Sequence, residues 1–521
     1  MKSRWLLPAL LALCVARLWL AQLPSSFWVD ETATAFVVEQ GAAHPSLAVA
    51  PQVPQSAYYW LPRAADRLFG RSEVAYRVPS ILAMGIAVLL VARLAARLIH
   101  PAAAWFAAFA CVAQKGVNFF AADARPYALG MAVAAAAMWF LVRWMDGARW
   151  ADALALLAMG ALLWRVHLLY WPFYLVLAGY AAARLAHHDT PLDWWRVSVV
   201  FAVLVLALVP VAWHALALNR EAAAHVIVPP PSVGALARYL KWNVVLFCGA
   251  GAWLAQLVFR WKDCARLPRN SVGLALAWGL CPPLCLFVFS RVTGDSVFLP
   301  RYLSLALPGV ALIATAAAAW FLPAEHWKAA ALVLGLGVWL LLGSWSRWWT
   351  PHQNSDWRAA AQAINRVEQR SPTPVLCVSP FVESRPPEWR PDYPLPGFLY
   401  AHLAVYPIHA PTYLLPYAGS PEAERFAANL AQGSLAQAGR FIVYGSESGL
   451  AFWIRWFEAQ PELAGWRSRP LGEFGDVGAV IFSRFAPIRE LATQCSPSSE
   501  LPWCSPRFLV GFSWNAATPM C

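Results

Sequence analysis

The sequence predicts an α-helical polytopic membrane protein: about eleven transmembrane helices, interfacial helices in the first outer loop, and a C-terminal extracytoplasmic α/β domain. Three observations carry this. Of 521 residues, 60% are hydrophobic and 13% charged, with mean hydropathy +0.49, whereas a soluble domain carries about 25% charged residues. Apolar runs long enough to cross a bilayer recur along the first two thirds of the chain, each crossing needing ~20 residues. From about residue 350 polar residues, Pro and Gly return. The expected division is therefore 1–349 for the membrane part and 350–521 for the outer domain.

The approximate spans are 5–23, 78–99, 102–120, 127–145, 151–170, 171–187, 195–214, 239–260, 271–290, 302–322 and 329–348. The opening MKSRWLLPALLALCVARLWLAQL resembles a signal peptide in its basic tip, but its apolar stretch is long and no A-x-A site follows. It reads as an uncleaved first helix. Thirty Trp suit a chain with many membrane interfaces. The net charge of +12 does not call for a nucleic-acid partner, because Lys and Arg sit in short connections between apolar runs. Lys2, Arg4, Arg93, Arg97, Arg143, Arg149, Arg184, Arg196, Arg260, Lys262, Arg266 and Arg269 fall on one side if the N-terminus is cytoplasmic. An odd number of crossings then places the tail outside, as in a multi-pass protein of the bacterial inner membrane with a periplasmic domain.

In the tail, DWRAAAQAINRV has the 3–4 spacing of a helix, while PVLCVSPF, RFIVYGSE and GAVIFSRF read as buried strands. Cys377, Cys495, Cys504 and Cys521 lie there, and the two in CSPSSELPWC are close enough to bridge in an oxidising compartment, though the pairing stays open.

The outer loops 24–77, 115–126, 215–238 and 291–301 hold the charges that topology does not explain. The first of them contains two amphipathic-looking pieces, 31–40 and 57–69, expected to lie flat at the interface. Asp30-Glu31 follows the first span directly. A carboxylate there can take a proton from an attacking group or hold a divalent metal beside a phosphate; an acidic first helical turn explains it as well. Asp123-Ala-Arg125-Pro-Tyr127 brings a guanidinium, whose planar fork suits phosphate, to the same level. Arg301-Tyr302 does so before the tenth span, and His167 ends the fifth. Each alone is also an ordinary cap or interfacial anchor. Together they supply what a membrane-dissolved phosphate donor requires: a base, cations for the leaving phosphate and apolar walls.

FWVDE, then YYWLPRAADRLFGRSEVAYRVPSILAMGIAV, ADARPYALG, FLPRYLSLALPG and SDWRAAAQAI follow one order. This order resembles the bacterial C-type (GT-C) glycosyltransferases of family 39, related to protein O-mannosyltransferases and the lipid A aminoarabinose transferase. The resemblance covers roughly residues 5–350 and the start of the tail. It implies a polyprenyl-phosphate-linked sugar as donor and an active site in the outer loops. It also implies Asp30 as the catalytic aspartate with Glu31 beside it, and Asp123, Arg125, Tyr127, Arg301 and Tyr302 near the donor phosphate. Tyr58, Tyr59, Arg77 and His167 become candidate substrate contacts, Arg77 chiefly as a structural residue. One departure stands out. Where relatives carry a His- or Glu-containing Pro-Pro segment before the paired tyrosines, this chain has PQVPQSAYYW, with Gln55 and Ser56. No cofactor is fixed by the sequence, and a divalent metal stays an open option.

The leading expectation is a membrane glycosyltransferase acting on a lipid, glycan or protein acceptor. The alternatives are a transporter or flippase, for which Cys281-Pro282-Pro283 as a helix break is the best argument, and an inactive scaffold. The tail shows no catalytic cluster and is expected to select the acceptor or support the site.

Overall fold

The structure is a computed structural model; it describes residues 5–222, 229–240, 242–261, 267–343, 345 and 351–484. Cys495, Cys504 and Cys521 lie outside the described residues. Cys377 is a free, buried thiol whose neighbour is the imidazole of His402, 3.2 Å away.

Each segment expected to cross the bilayer holds a helix, α1 (Leu6–Leu18), α4 (Glu73–Leu98), α5 (Ala104–Val112), α7 (Tyr127–Gly147), α8 (Trp150–Val166), α9 (Pro172–Ala186), α10 (Trp194–Ala222), α12 (Asn243–Phe259), α13 (Arg269–Thr293), α14 (Leu307–Ala319) and α15 (Trp327–Leu341), but the expected span 102–120 is not continuous, its helix ending at Val112. Between them lie α2 (Val29–Gln40), α3 (Trp60–Phe69), α6 (Lys115–Ala121) and α11 (Val233–Tyr239). Among the described residues, five helices are long and apolar enough to span alone, and α11 and α12 form a sixth span if taken together across a 49° bend. The chain is a multi-span membrane protein.

Sequence signals set the helix ends. Ser72 caps α4 by accepting from the Ala75 amide. Small residues set the packing: a Cβ on Gly309 of α14 would stand 2.5 Å from the Gly279 nitrogen of α13, so these two helices touch backbone to backbone. The helix break that Cys281-Pro282-Pro283 offered to the transporter alternative does not occur; α13 runs through both prolines from Arg269 to Thr293. Basic residues gather where α4, α7 and α9 end. There Asp146 joins Arg97 (2.6 Å) and Arg184 (2.8 Å), and Arg143 meets Asp152 at 3.1 Å.

The opposite end carries a second layer. Five strands, β1 (Val375–Val378), β2 (Thr412–Leu415), β3 (Arg440–Ser446), β4 (Arg467–Pro470) and β5 (Val477–Ser483), form one sheet in the order β2-β1-β3-β5-β4. β1 runs parallel to β2 and β3, while β5 is antiparallel to β3 and β4. The helix Trp357–Arg370 (α16) buries Trp357, Ala360, Ala361 and Ile364, the face its 3–4 spacing predicts, and Asp356 caps it through the Ala359 amide.

The two pieces of the first loop differ from each other. α3 exposes Trp60, Leu61, Leu68 and Phe69, as an interfacial helix does. α2 is not interfacial: Glu31 to Val38 are all buried. Its Phe36 and Val37 share one hydrophobic cluster with Trp357, Ile364, Leu376 and Tyr400 of the sheet domain. The reason lies about 330 residues away in the chain. Tyr406 accepts from the Phe27 amide (2.8 Å) and donates to Glu73 (2.8 Å), which also pairs with Arg358 at 3.0 Å. These contacts draw the sheet domain down onto α2.

Candidate active site

The first turn of α2 presents Asp30 and Glu31, and the chain from 123 to 125 is stitched to it. Trp28 Nε1 donates to Asp123 Oδ1 (3.0 Å), the Ala124 amide donates to Glu31 Oε1 (2.8 Å), and Thr34 Oγ1 donates to the Ala124 carbonyl (2.9 Å). Arg125 Nη1 reaches the Asp30 carbonyl at 3.2 Å and Thr34 Oγ1 at 3.4 Å. Three consecutive residues thus bind the turn that carries both carboxylates.

The two carboxylates then diverge. Glu31 is sealed from solvent and forms a two-point ion pair with Arg77, Nε at 2.8 Å and Nη2 at 2.5 Å, both side chains 0% exposed. Arg77 spends its remaining donors on the carbonyls of Gln22, Leu23, Ser25 and Ser26, tying down the α1–α2 connection. Burial alone would raise the Glu31 carboxyl; the charge and hydrogen bonds of Arg77 outweigh it and hold it below the usual range.

Asp30 pairs with Arg301 at 2.8 Å, and here the side chains are 18% and 31% exposed. This pair is reachable. Among the described residues Arg301 Nε and Arg125 Nε are buried donors with no partner, and unpaired guanidinium donors are what an anion recruits. Arg301 also lies over the Tyr302 ring at 5.3 Å. The His167 ring packs against Tyr127 (5.8 Å), Tyr170 (5.0 Å) and Tyr302 (5.3 Å), making an aromatic floor. Tyr58 is buried with its hydroxyl 3.3 Å from Ser80 Oγ, and Tyr59 is buried beside it. The fold therefore brings Asp30, Arg125, Tyr127, His167, Arg301 and Tyr302 together. Glu31, Arg77, Tyr58 and Asp123 sit behind them.

One residue the sequence did not single out joins this rear layer. His352, just after the last apolar helix, places Nε2 3.5 Å from Asp123 Oδ1, with both side chains 0% exposed. Its only sequence signal is its place beside SDWRAAAQAI. Glu31, Asp123 and His352 offer ligand atoms within 4.8 Å of one another, the grouping among the described residues that could hold a cation. The fit is poor. Each Glu31 oxygen already accepts two hydrogen bonds, Oε1 from Arg77 and Ala124, Oε2 from Arg77 and Trp28, so no lone pair faces a metal. Burial, helped by the neighbouring Glu31 charge, moves the Asp123 carboxyl upward against the pull of His352 and Trp28.

Residues 54–216 match the family model described as dolichyl-phosphate-mannose-protein mannosyltransferase, a stretch that holds Tyr58, Tyr59, Arg77, Asp123, Arg125, Tyr127 and His167. No curated protein sequence matches the chain. Among solved structures, ArnT from Cupriavidus metallidurans in the apo state shares 13% identity at TM-score 0.53, covering 91% of this chain and 97% of that one. The same protein bound to undecaprenyl phosphate shares 14% identity at TM-score 0.52, covering 92% and 98%. At such identities the structural likeness speaks to fold, and it extends over both the helical part and the sheet domain. The family match thus lies within the helical part, and the chain as a whole shares the ArnT fold.

Proposed function

We propose that this protein transfers a glycosyl unit from a polyprenyl-phosphate donor to an acceptor at the outer face of the bacterial inner membrane, with Asp30 as the base. The observation that carries the reading is the accessible Asp30–Arg301 pair, a carboxylate and a guanidinium at 2.8 Å above an aromatic floor. The solved ArnT complex with undecaprenyl phosphate supports the donor class by analogy.

In this reading the donor phosphate competes for Arg301 and releases Asp30. Asp30 takes the proton of the acceptor hydroxyl or amine, whose oxygen or nitrogen forms the new bond to the anomeric carbon. The bond from that carbon to the phosphate oxygen breaks, and the lipid phosphate leaves with the electron pair, held by Arg301 and Arg125. A single displacement inverts the anomeric centre. A groove of about 420 Å³, lined by Trp171, Leu284, Val288 and Phe289, offers apolar wall beside the segment that carries His167.

The test is incubation of purified protein with labelled polyprenyl-phosphate sugars and membrane extract, followed by identification of the labelled product. Asp30→Asn keeps the shape and removes the base, so turnover should drop by about 10²–10⁴-fold while the melting temperature holds. Wild-type turnover in a folded Asp30→Asn protein removes Asp30 from the mechanism.

A further inference from the structure

We infer that His352 is a positioning residue that locks the catalytic turn from the side of the outer domain. The inference rests on the reading of Asp30 as the reacting carboxylate. His352 belongs to the short connection between the last apolar helix and α16. Its backbone amide donates to Ser25 Oγ (3.1 Å), its Nδ1 lies 3.2 Å from Gln22 Oε1, and its ring stacks on Phe119 at 4.4 Å. Gln22 already commits its amide nitrogen to the Leu18 carbonyl at 2.6 Å. Its oxygen is therefore the atom facing His352, which puts a proton on Nδ1. That leaves Nε2 aimed at Asp123 Oδ1, 3.5 Å away, in a pocket closed to water.

Nε2 makes no hydrogen bond among the described residues, and the Asp123 carboxyl is the polar group it faces. Asp123 Oδ1 in turn accepts from Trp28 Nε1, and Trp28 is the N-cap residue of α2, two residues before the Asp30 that faces Arg301. The line His352–Asp123–Trp28 thus joins the outer domain to the turn carrying the base. His352 touches no substrate in this arrangement; it fixes where the carboxylate stands.

The experiment uses the full chain in detergent as wild type, His352→Ala and His352→Gln, in two arms. The first is hydrogen exchange read by mass spectrometry. His352→Ala should speed exchange at residues 28–32 and 120–126 while β1 and β3 keep their rates. Imidazole added to the buffer, filling the space left by the ring, should restore slow exchange, and His352→Gln, which keeps a donor, should fall between. The second arm measures glycosyl transfer from a labelled polyprenyl-phosphate sugar. Here kcat should fall by roughly 10- to 100-fold with little change in donor KM, and imidazole should recover it. If wild type transfers nothing, the glycosyltransfer reading fails while the exchange arm still decides the lock. Unchanged exchange at 28–32 and 120–126 in both variants overturns the lock. Faster exchange spread evenly through β1 and β3 overturns it too, since that is general destabilisation. Where His352→Ala does not fold, the same criteria apply to His352→Gln.

Discussion

Asp30 and Glu31 are chain neighbours of the same chemical kind, each paired with an arginine, yet they belong to opposite halves of the site. In the rear half the Glu31–Arg77 pair is fully sealed, and every donor and acceptor of these two side chains is used. The front half, Asp30 with Arg301, is part-exposed, and Arg301 and Arg125 keep donors unspent. Burial decides between them. A buried, saturated ion pair has no capacity left to bind substrate and can only hold structure. An accessible one can exchange partners. The rear half thus holds the peptide framework that places the front half.

The sheet domain belongs to the rear half. Phe36 and Val37 pack into its core, and His352, Arg358 and Tyr406 all reach the α1–α2 connection or its neighbours. A chain cut near residue 349 should therefore lose more than acceptor selection. It should lose ordered α2 and, with it, binding of undecaprenyl phosphate, measured by native mass spectrometry. Undiminished lipid binding in a stable truncated protein would detach the donor site from the sheet domain and break the comparison.

Within the rear half, Arg77→Ala leaves Glu31 buried without its counter-charge. Removing one member of such a pair costs about 3–5 kcal/mol, so little folded protein should survive. Arg77→Met combined with Glu31→Gln should recover much of the loss, because neither buried charge remains. A melting temperature for Arg77→Ala equal to wild type would mean that the pair is open to water.

In the front half the effects should appear in binding instead. Arg301→Ala and Arg125→Ala should each weaken affinity for undecaprenyl phosphate by about 10- to 100-fold, the worth of a charge-assisted hydrogen bond of about 1.5–3 kcal/mol. Stability should change little for Arg301. Loss of acceptor affinity with unchanged donor affinity would reassign these arginines.

Much of this organisation was legible in the sequence. Long apolar runs forecast the helices, and β1, β3, β5 and α16 follow from short apolar runs and 3–4 spacing. β4 was missed because RSRP is exposed and holds no apolar residue apart from proline, and β2 because only Leu414 and Leu415 of TYLL are buried, whereas all four residues of β1 are. The gathering of Asp30, Arg125 and Arg301 at one level was readable from loop positions. The split between Asp30 and Glu31 was not. An acidic first turn looks the same whether it faces Arg77 or the open side, and the residues that bury α2 come from the far end of the chain. His352 was invisible for the same reason: only the three-dimensional fold brings it to Asp123.

Acid titration offers the smallest effect and the finest test of the rear half. Glu31 is held below its ordinary value of 4.5, since Arg77 outweighs the opposing effect of burial. A carboxyl lowered in the folded state contributes stability that is complete above its unfolded value and is lost as pH falls through the folded one. Asp123 is displaced the other way from its ordinary 3.8, by burial and the nearby Glu31 charge. Its contribution is complete below about that value and is lost as pH rises through the raised folded one. On acidification from neutral pH the two oppose each other, Asp123 adding stability before Glu31 gives it up. Asp123→Asn removes only the opposing member. Its melting temperature, followed from pH 7 to pH 4, should therefore fall more steeply than that of wild type, by a few degrees at most. Parallel curves would mean that Asp123 binds its proton equally well folded and unfolded, and that the sealed half does not extend to it.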